Sequence, residues 1–386
     1  MPPHISLNRS KLPEVGTTIF TVMSALANKH NAINLSQGFP DFGCDPKLIQ
    51  KVQRAMSDGH NQYAPMPGLL RLRSLLSNLQ NEWYQAHYEA ETEITISSGA
   101  TESLMCAIQA MVHPGDEVIV IEPAYDSYIP AIQLSGGIPI RVPLTYPTYR
   151  VDWEKIRAAI NPKTRVMLIN TPHNPTGTIW EDSDLEILAE IVRDTEIILI
   201  SDEVYEHILF DGKQHQSLSR HPELAKRSMV ISSFGKTLHT TGWKVGYCMA
   251  PAELTKEFRK VHQFVTFSTS TPFQHAIADY LEEELEQLIT LKDFYQQKRD
   301  LFLQLMEGSR FQPLACQGTY FQLMTYADIS DEEDAVFAQR LIREYGVAAI
   351  PVSAFYHHPP DHRVVRFCFA KKEETLVAAA EKLRKI

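Results

Sequence analysis

The sequence predicts an α/β fold: a large domain built on a mostly parallel sheet flanked by helices, with a smaller α+β domain beside it. Three observations carry this. Short β-branched or apolar runs recur at residues 94–97, 117–121, 138–142, 165–170, 196–201, 229–232 and 245–249, separated by stretches long enough for helices. Several of these runs are continuously apolar, as strands must be when both faces of a parallel sheet are covered. From about residue 282 the texture changes to long charged amphipathic stretches with fewer strand signals.

Taken in order, residues 1–40 are assigned to an N-terminal arm and part of the small domain, 41–285 to the large domain, and 286–386 to the small C-terminal domain. Leu69, Leu72, Leu75, Leu76, Leu79 and Trp83 form one stripe of a helix, which serves packing. Further helices are expected at 100–112 and 182–193, between strands. A long amphipathic helix is expected over 282–305, then short strands at 319–323 and 364–369. A last helix over 371–386 carries Leu376, Ala379, Ala380 and Leu383 on one side. No repeat of fixed period is present, and no Gly/Ser-rich linker marks the domain boundary.

Composition narrows the function. A chain of 386 residues with 44% hydrophobic and 22% charged residues has the makeup of an ordinary globular protein and is long enough for two or three domains. With 37 Lys and Arg against 47 Asp and Glu the net charge is −10, which argues against nucleic acid as the main partner. The five cysteines, Cys44, Cys106, Cys248, Cys316 and Cys368, form no CxxC pair. They read as buried small apolar residues in a reducing compartment. Residues 1–16 lack the apolar core of a secretory signal, and no apolar run approaches the roughly 18 residues of a membrane helix. The expectation is a soluble cytoplasmic protein with no membrane partner and no bound metal. His-Glu-x-x-His, Walker-type and Gly-x-Ser-x-Gly motifs are absent, and the adjacent His357 and His358 in a Pro-rich turn read as solvated.

Four segments follow predicted strands, where open α/β sheets gather their ligand-binding loops. Ser97-Ser98-Gly99-Ala100-Thr101-Glu102 opens a helix, where small residues let backbone N–H groups approach an anion. Asn170-Thr171-Pro172-His173-Asn174-Pro175-Thr176-Gly177 is a stiff loop presenting the Asn174 amide. Ser201-Asp202-Glu203-Val204-Tyr205 brings an acid to the end of a buried strand, where it needs a positive partner. Ser232-Ser233-Phe234-Gly235-Lys236-Thr237, with Thr241-Gly242-Trp243-Lys244-Val245-Gly246 after it, places a lysine among small residues, where a desolvated amine serves as a nucleophile. Each alone also fits a plainer role: a capped turn, a common loop composition, a structural pair, a solvated lysine. Their occurrence together and in this order carries the weight.

In that order the segments resemble the class I pyridoxal-phosphate aminotransferases of fold type I, over essentially the whole chain: Asn-Pro-Thr-Gly at 174–177, Asp202 to Tyr205, Ser-x-x-Lys at 233–236 and Gly-Trp-Lys at 242–244. Ser36-Gln37-Gly38-Phe39-Pro40-Asp41-Phe42 and Gln62-Tyr63-Ala64 look most like the kynurenine, glutamine and methionine aminotransferase group. The resemblance implies pyridoxal 5'-phosphate as cofactor, an amino acid donor and a 2-oxo acid acceptor as partners, and a homodimer. It assigns Lys236 to the Schiff base and to proton transfer, Asp202 to the pyridinium nitrogen, and Tyr205 and Asn174 to the phenolic oxygen. Gly99, Ala100, Thr101, Ser233 and Lys244 fall to the phosphate, Tyr125 to the ring face, and Tyr63 to the phosphate of the neighbouring subunit. Arg366, with Gly38 and Asn174, falls to the substrate carboxylate; Arg363 and Arg141 are nearby but lie outside the matching motif. Many members have arginine at the position of Lys244, and a lysine there supplies charge without a bidentate fork.

Members that prefer dicarboxylic substrates commonly bring an arginine from the stretch a few dozen residues past the Schiff-base lysine. Here residues 261–291 hold no Lys or Arg and offer Phe264, Phe267, Phe273, His262 and His275. With Phe39 and Tyr125 these are expected to form an apolar or aromatic pocket, subunit-interface packing being the other reading of the phenylalanines. The expected substrates are methionine, phenylalanine, tyrosine, and also glutamine or kynurenine. A cysteine-conjugate or cystathionine β-lyase is the alternative, since the same site residues serve elimination.

Overall fold

The computed structural model describes residues 10–386. Residues 1–9, which hold part of the expected arm and part of the stretch read as lacking a secretory signal, lie outside the described residues.

Seven strands form one sheet in the spatial order Ile94–Ser97, Gly246–Met249, Ser228–Ser233, Ile198–Asp202, Thr164–Asn170, Glu117–Glu122 and Ile138–Pro143. Each lies within two residues of its expected span. Only Gly246–Met249 runs against its neighbours; the other pairings are parallel. Alternation along the strands divides the apolar side chains between two faces. Val118, Val120, Leu168, Ile200 and Ile231 join one core with the Ala100–Met111 helix. Ile119, Met167, Ile169, Leu199 and Val230 join another on the opposite face. There they meet the Leu70–Tyr84 helix, whose Leu72, Leu76 and Leu79 are buried as its stripe requires. Each such side chain contributes about 1.5–3 kcal/mol on leaving water, so the sheet is anchored from both sides.

Apart from the packing on the two faces of the large sheet, most of the remaining chain, joined by Val204, Tyr205, Ile208 and Phe210, builds a second core. Ile350–Pro351, Val364–Cys368, Phe321–Thr325 and Gln312–Pro313 form an antiparallel four-stranded sheet. Ile33–Asn34 pairs in parallel with Val347–Ala348, and Met23, Ala27 and Leu35 share a core with Tyr295, Phe302, Phe337 and Phe367.

Three expectations are corrected. The 282–305 stretch is not one helix but Thr271–Glu283, Glu286–Ile289 and Leu291–Leu305. Leu281 and Leu288 pack into the core of the large sheet while Leu291 and Tyr295 pack into the second core, and a straight helix cannot serve both. The strand expected at 319–323 begins at Phe321, because Thr319 turns the chain at φ +66°. Cys106, Cys248, Cys316 and Cys368 are buried, but Cys44 is half-exposed beside the Asp45 cap of the Pro46–Ser57 helix. All five cysteines are free thiols. His357 and His358 are exposed. Among the described residues no helix is long and apolar enough to cross a membrane.

Candidate active site

The register Asn170↔Asp202 and Asp202↔Ile231 brings three strand ends to one edge of the sheet. The loops leaving that edge enclose a cavity lined by Gly99, Ala100, Thr101, Tyr125, Asn174, Asp202, Tyr205, Ser233, Lys236 and Lys244. Ten of the residues singled out in the sequence therefore share one space.

Lys236 lies in the short Phe234–Thr237 helix, capped by the Ser233 hydroxyl, which accepts the Gly235 N–H at 3.0 Å. Its amine donates to the Gly38 carbonyl at 3.0 Å and meets the Tyr320 hydroxyl at 2.9 Å. Burial, aided by the positive charges of Arg366 and Lys244, brings the amine down to about 8, against the pull of Asp202. A substantial fraction is thus neutral, and nucleophilic, near pH 8.

Asp202 is buried at the end of its strand. Its carboxylate accepts the Tyr128 hydroxyl at 2.6 Å and the Val204 N–H at 3.3 Å, both neutral donors. Burial outweighs these bonds and pushes the group up to about 6. Asn170 fixes the edge: its amide donates to the Asp202 carbonyl at 2.9 Å and accepts the Asn174 N–H at 2.8 Å. Tyr205 is fully buried, and its ring meets that of Tyr320 edge-on at 5.2 Å. Burial drives both phenols upward.

At the other end of the cavity Gly99 precedes the Ala100–Met111 helix with φ +82° and ψ 165°, a conformation essentially confined to glycine. No side chain caps this helix, and a Cβ at Gly99 would lie 3.4 Å from the Lys244 amine. Free helix N–H groups, the Ser233 hydroxyl and a lysine amine make a donor set suited to a phosphate.

Arg366 lies on the Val364–Cys368 strand, 1% exposed. It donates to the Asn174 side-chain carbonyl at 2.7 Å and to the Ser36 carbonyl at 3.1 Å, with its guanidinium 3.8 Å over the Phe321 ring. Its Nε is buried without a partner, and burial lowers the group to about 10. Arg141 pairs with Glu122 and Arg363 with Asp331, so both of the alternatives are engaged elsewhere.

Within one chain, the residues of 261–291 do not line this cavity. Phe264 is 84% exposed, Phe273 stacks on Trp243 at 4.7 Å, and His275 stacks on His60 at 3.7 Å. His262 is buried against Glu102 at 2.8 Å. Phe39 and Phe267 are exposed, and Tyr63, 82% exposed, meets Phe267 edge-on rather than the cavity of its own chain. Of the aromatic residues named for that pocket, Tyr125 lines the cavity. Tyr128 and Tyr320 were missed. Tyr128 stands three residues after Tyr125, a spacing that carried the signal; Tyr320, at the end of a distant turn, offered none.

Residues 30–383 match the family model described as aminotransferase class I and II. The chain belongs to that family. It is an aminotransferase, 51% identical over 378 residues to the methionine aminotransferase of Escherichia coli (strain K12), covering 98% of each chain. It is also 36% identical to the kynurenine–oxoglutarate transaminase of Dictyostelium discoideum, over 96% of this chain and 94% of that one. Among solved structures, Escherichia coli YbdL, described as having a methionine aminotransferase function, superposes with a TM-score of 0.97 at 50% identity, over 98% of this chain and 100% of that one. The N-succinyldiaminopimelate aminotransferase of Mycobacterium tuberculosis follows at 0.94 and 37%, over 98% and 99%. The aminotransferase fold thus agrees with the α/β architecture expected from the sequence.

Proposed function

We propose that this aminotransferase uses pyridoxal phosphate to move the amino group of an uncharged thioether or aromatic amino acid, methionine foremost, to a 2-oxo acid. The observation that carries the reading is the pairing in one cavity of a lysine amine lowered to about 8 and a buried carboxylate held by neutral donors. Three features fit the cofactor. Gly99 leaves open the space beside the Lys244 amine where a phosphate would sit. Asp202, raised by burial, suits a protonated ring nitrogen, and Arg366 keeps a buried N–H without a partner for a substrate carboxylate.

When bound, the cofactor supplies an aldehyde for amine exchange and a ring able to hold the electron pair left by a departing α-proton. Lys236 would hold the cofactor through its amine and, when free, carry the proton from the substrate α-carbon. Asp202 would hold the ring nitrogen and keep a proton there. Tyr205 and Asn174 would hold the phenolic oxygen, and Tyr125 the ring. Gly99, Ala100, Thr101, Ser233 and Lys244 would hold the phosphate. Arg366, Asn174 and Gly38 orient the substrate carboxylate.

Residues 41–285 form the large domain in this reading, and 286–386 with the N-terminal arm form the small one; the core shared by Leu35 and Phe367 supports that division. A second copy of the chain covers Tyr63, Phe264 and Phe267, whose exposure supports a homodimer with Tyr63 reaching the partner's phosphate site. Free cysteines support a reducing, cytoplasmic setting.

The substrate preference rests on the 51% identity to a methionine aminotransferase and on the lack of Lys or Arg in 261–291. An amino-donor panel with one 2-oxo acid tests it. Methionine or phenylalanine should give a higher kcat/KM than aspartate; a higher value for aspartate overturns the preference.

A further inference from the structure

Tyr320 has no part in the roles above, yet among the described residues its hydroxyl is the side-chain group that hydrogen-bonds the Lys236 amine. It is fully buried and belongs to the second core, two residues beyond Gly318 in the turn where Thr319 adopts φ +66°. That turn is pinned: the Thr319 N–H reaches the Ile208 carbonyl at 3.0 Å, and the Tyr320 carbonyl accepts the Phe369 N–H at 3.0 Å. The ring is wedged between Tyr205 and Tyr295, at 5.2 and 5.6 Å between centroids. The hydroxyl is fixed in turn by the Gly38 carbonyl at 2.5 Å.

Proton counting gives this contact a direction. The Gly38 carbonyl has no proton to give, so the Tyr320 hydroxyl donates to it. The phenol oxygen then faces Lys236 with its lone pairs and accepts an amine N–H at 2.9 Å, while a second amine N–H goes to the Gly38 carbonyl at 3.0 Å. A neutral amine has two N–H bonds and one lone pair. With both N–H bonds engaged, the lone pair has a single direction left, away from both acceptors, on a residue that lines the cavity.

We propose that Tyr320 is the positioning residue of the proton transfer: with the Gly38 carbonyl it orients the free Lys236 amine so that its lone pair faces the substrate α-carbon. The proposal rests on the aminotransferase reading of the site and adds to it the group that aims its base. The proton leaves the α-carbon for the Lys236 lone pair, giving an ammonium whose third N–H occupies that same direction and can give the proton back, while the electron pair left behind is the one a bound cofactor ring would hold. Tyr320 neither gains nor loses a proton. Because Tyr320 and Gly38 come from segments outside the large sheet, the base is aimed only when those segments sit against it.

Tyr320→Phe keeps the ring and removes the acceptor. Tyr295→Phe is the control, since the Tyr295 hydroxyl lies buried in the same aromatic cluster without a partner. With methionine, Tyr320→Phe should lower kcat about tenfold or more with KM changed far less, whereas Tyr295→Phe should match the parent. In the coenzyme-free protein, NMR titration of Lys236 labelled with 13C at its side-chain Cε, the signal assigned by its loss in Lys236→Ala, should show a lower amine pKa in Tyr320→Phe, because an acceptor that favours the ammonium has gone. Tyr320→Phe equal to the parent in both kcat and Lys236 titration overturns the proposal, as does an equal loss in Tyr295→Phe. A parent that fails to transaminate refutes the aminotransferase reading itself; a parent that turns over beside an unaffected variant refutes only the role of Tyr320.

Discussion

Arg366 and Asn174 meet across the seam between the two sheets, the arginine Nη1 donating to the asparagine Oδ1 at 2.7 Å. One comes from the small antiparallel sheet and the other from the loop after Thr164–Asn170, so the bond sets the Arg366 guanidinium, proposed to hold the substrate carboxylate, against the large-sheet edge. Arg366→Lys keeps the charge but loses the fork and the stack on Phe321. A charge-assisted hydrogen bond contributes about 1.5–3 kcal/mol, so kcat/KM for methionine should fall about 10- to 100-fold, mainly through KM. Steady-state kinetics check this; an unchanged KM would place the substrate carboxylate elsewhere.

Asp202 should make the coenzyme-free protein less stable as pH rises. Its carboxyl titrates near 6 in the folded chain against an ordinary 3.8. Between those values the folded state holds a proton that the unfolded state lacks. The contribution is therefore full below about pH 4 and lost as pH climbs through 6, on the order of 3 kcal/mol. Asp202→Asn should be more stable than the parent at neutral pH, by urea denaturation without coenzyme, with the gain shrinking below pH 4. A variant less stable at neutral pH would show that the charged form is favoured by the fold.

Gly99→Ala forces a Cβ into a conformation costing about 1–3 kcal/mol, at 3.4 Å from the Lys244 amine. Coenzyme affinity should drop by at least about tenfold while the sheet stays folded, as fluorescence titration and circular dichroism would record. Unaltered affinity would remove this helix start from the phosphate site.

Coenzyme uptake by the coenzyme-free protein should follow the neutral fraction of Lys236. With the amine near 8 rather than 10.5, the uptake rate should rise about tenfold between pH 7 and 9 and then level off. Stopped-flow absorbance gives the profile. A rise that continues past pH 10 would mean that burial does not depress this amine.

The seven strands were legible because each is a short β-branched or apolar run set between helix-length stretches, and most of the candidate cavity was legible because its residues sit in short motifs right after those strands. Asp202, Lys236 and Asn174 could be found without knowing what lies across from them. The break near Glu284 could not, since no Gly or Pro marks it and its cause is the passage of Leu288 and Leu291 into different cores. Tyr320 was hidden for a related reason: its contact with Lys236 spans 84 positions and depends on how two cores meet. The phenylalanines of 261–291 were not legible to that depth, because apolar composition does not distinguish a pocket wall from a face that a second copy would cover, such as that of Phe264.

The most direct test fixes the coenzyme where it binds. Incubating the protein with pyridoxal phosphate, reducing with borohydride and mapping peptides by mass spectrometry should find the added mass on Lys236, with Lys236→Ala left unlabelled and inactive. A label on another lysine with Lys236 unmodified, or full turnover in Lys236→Ala, would contradict the account.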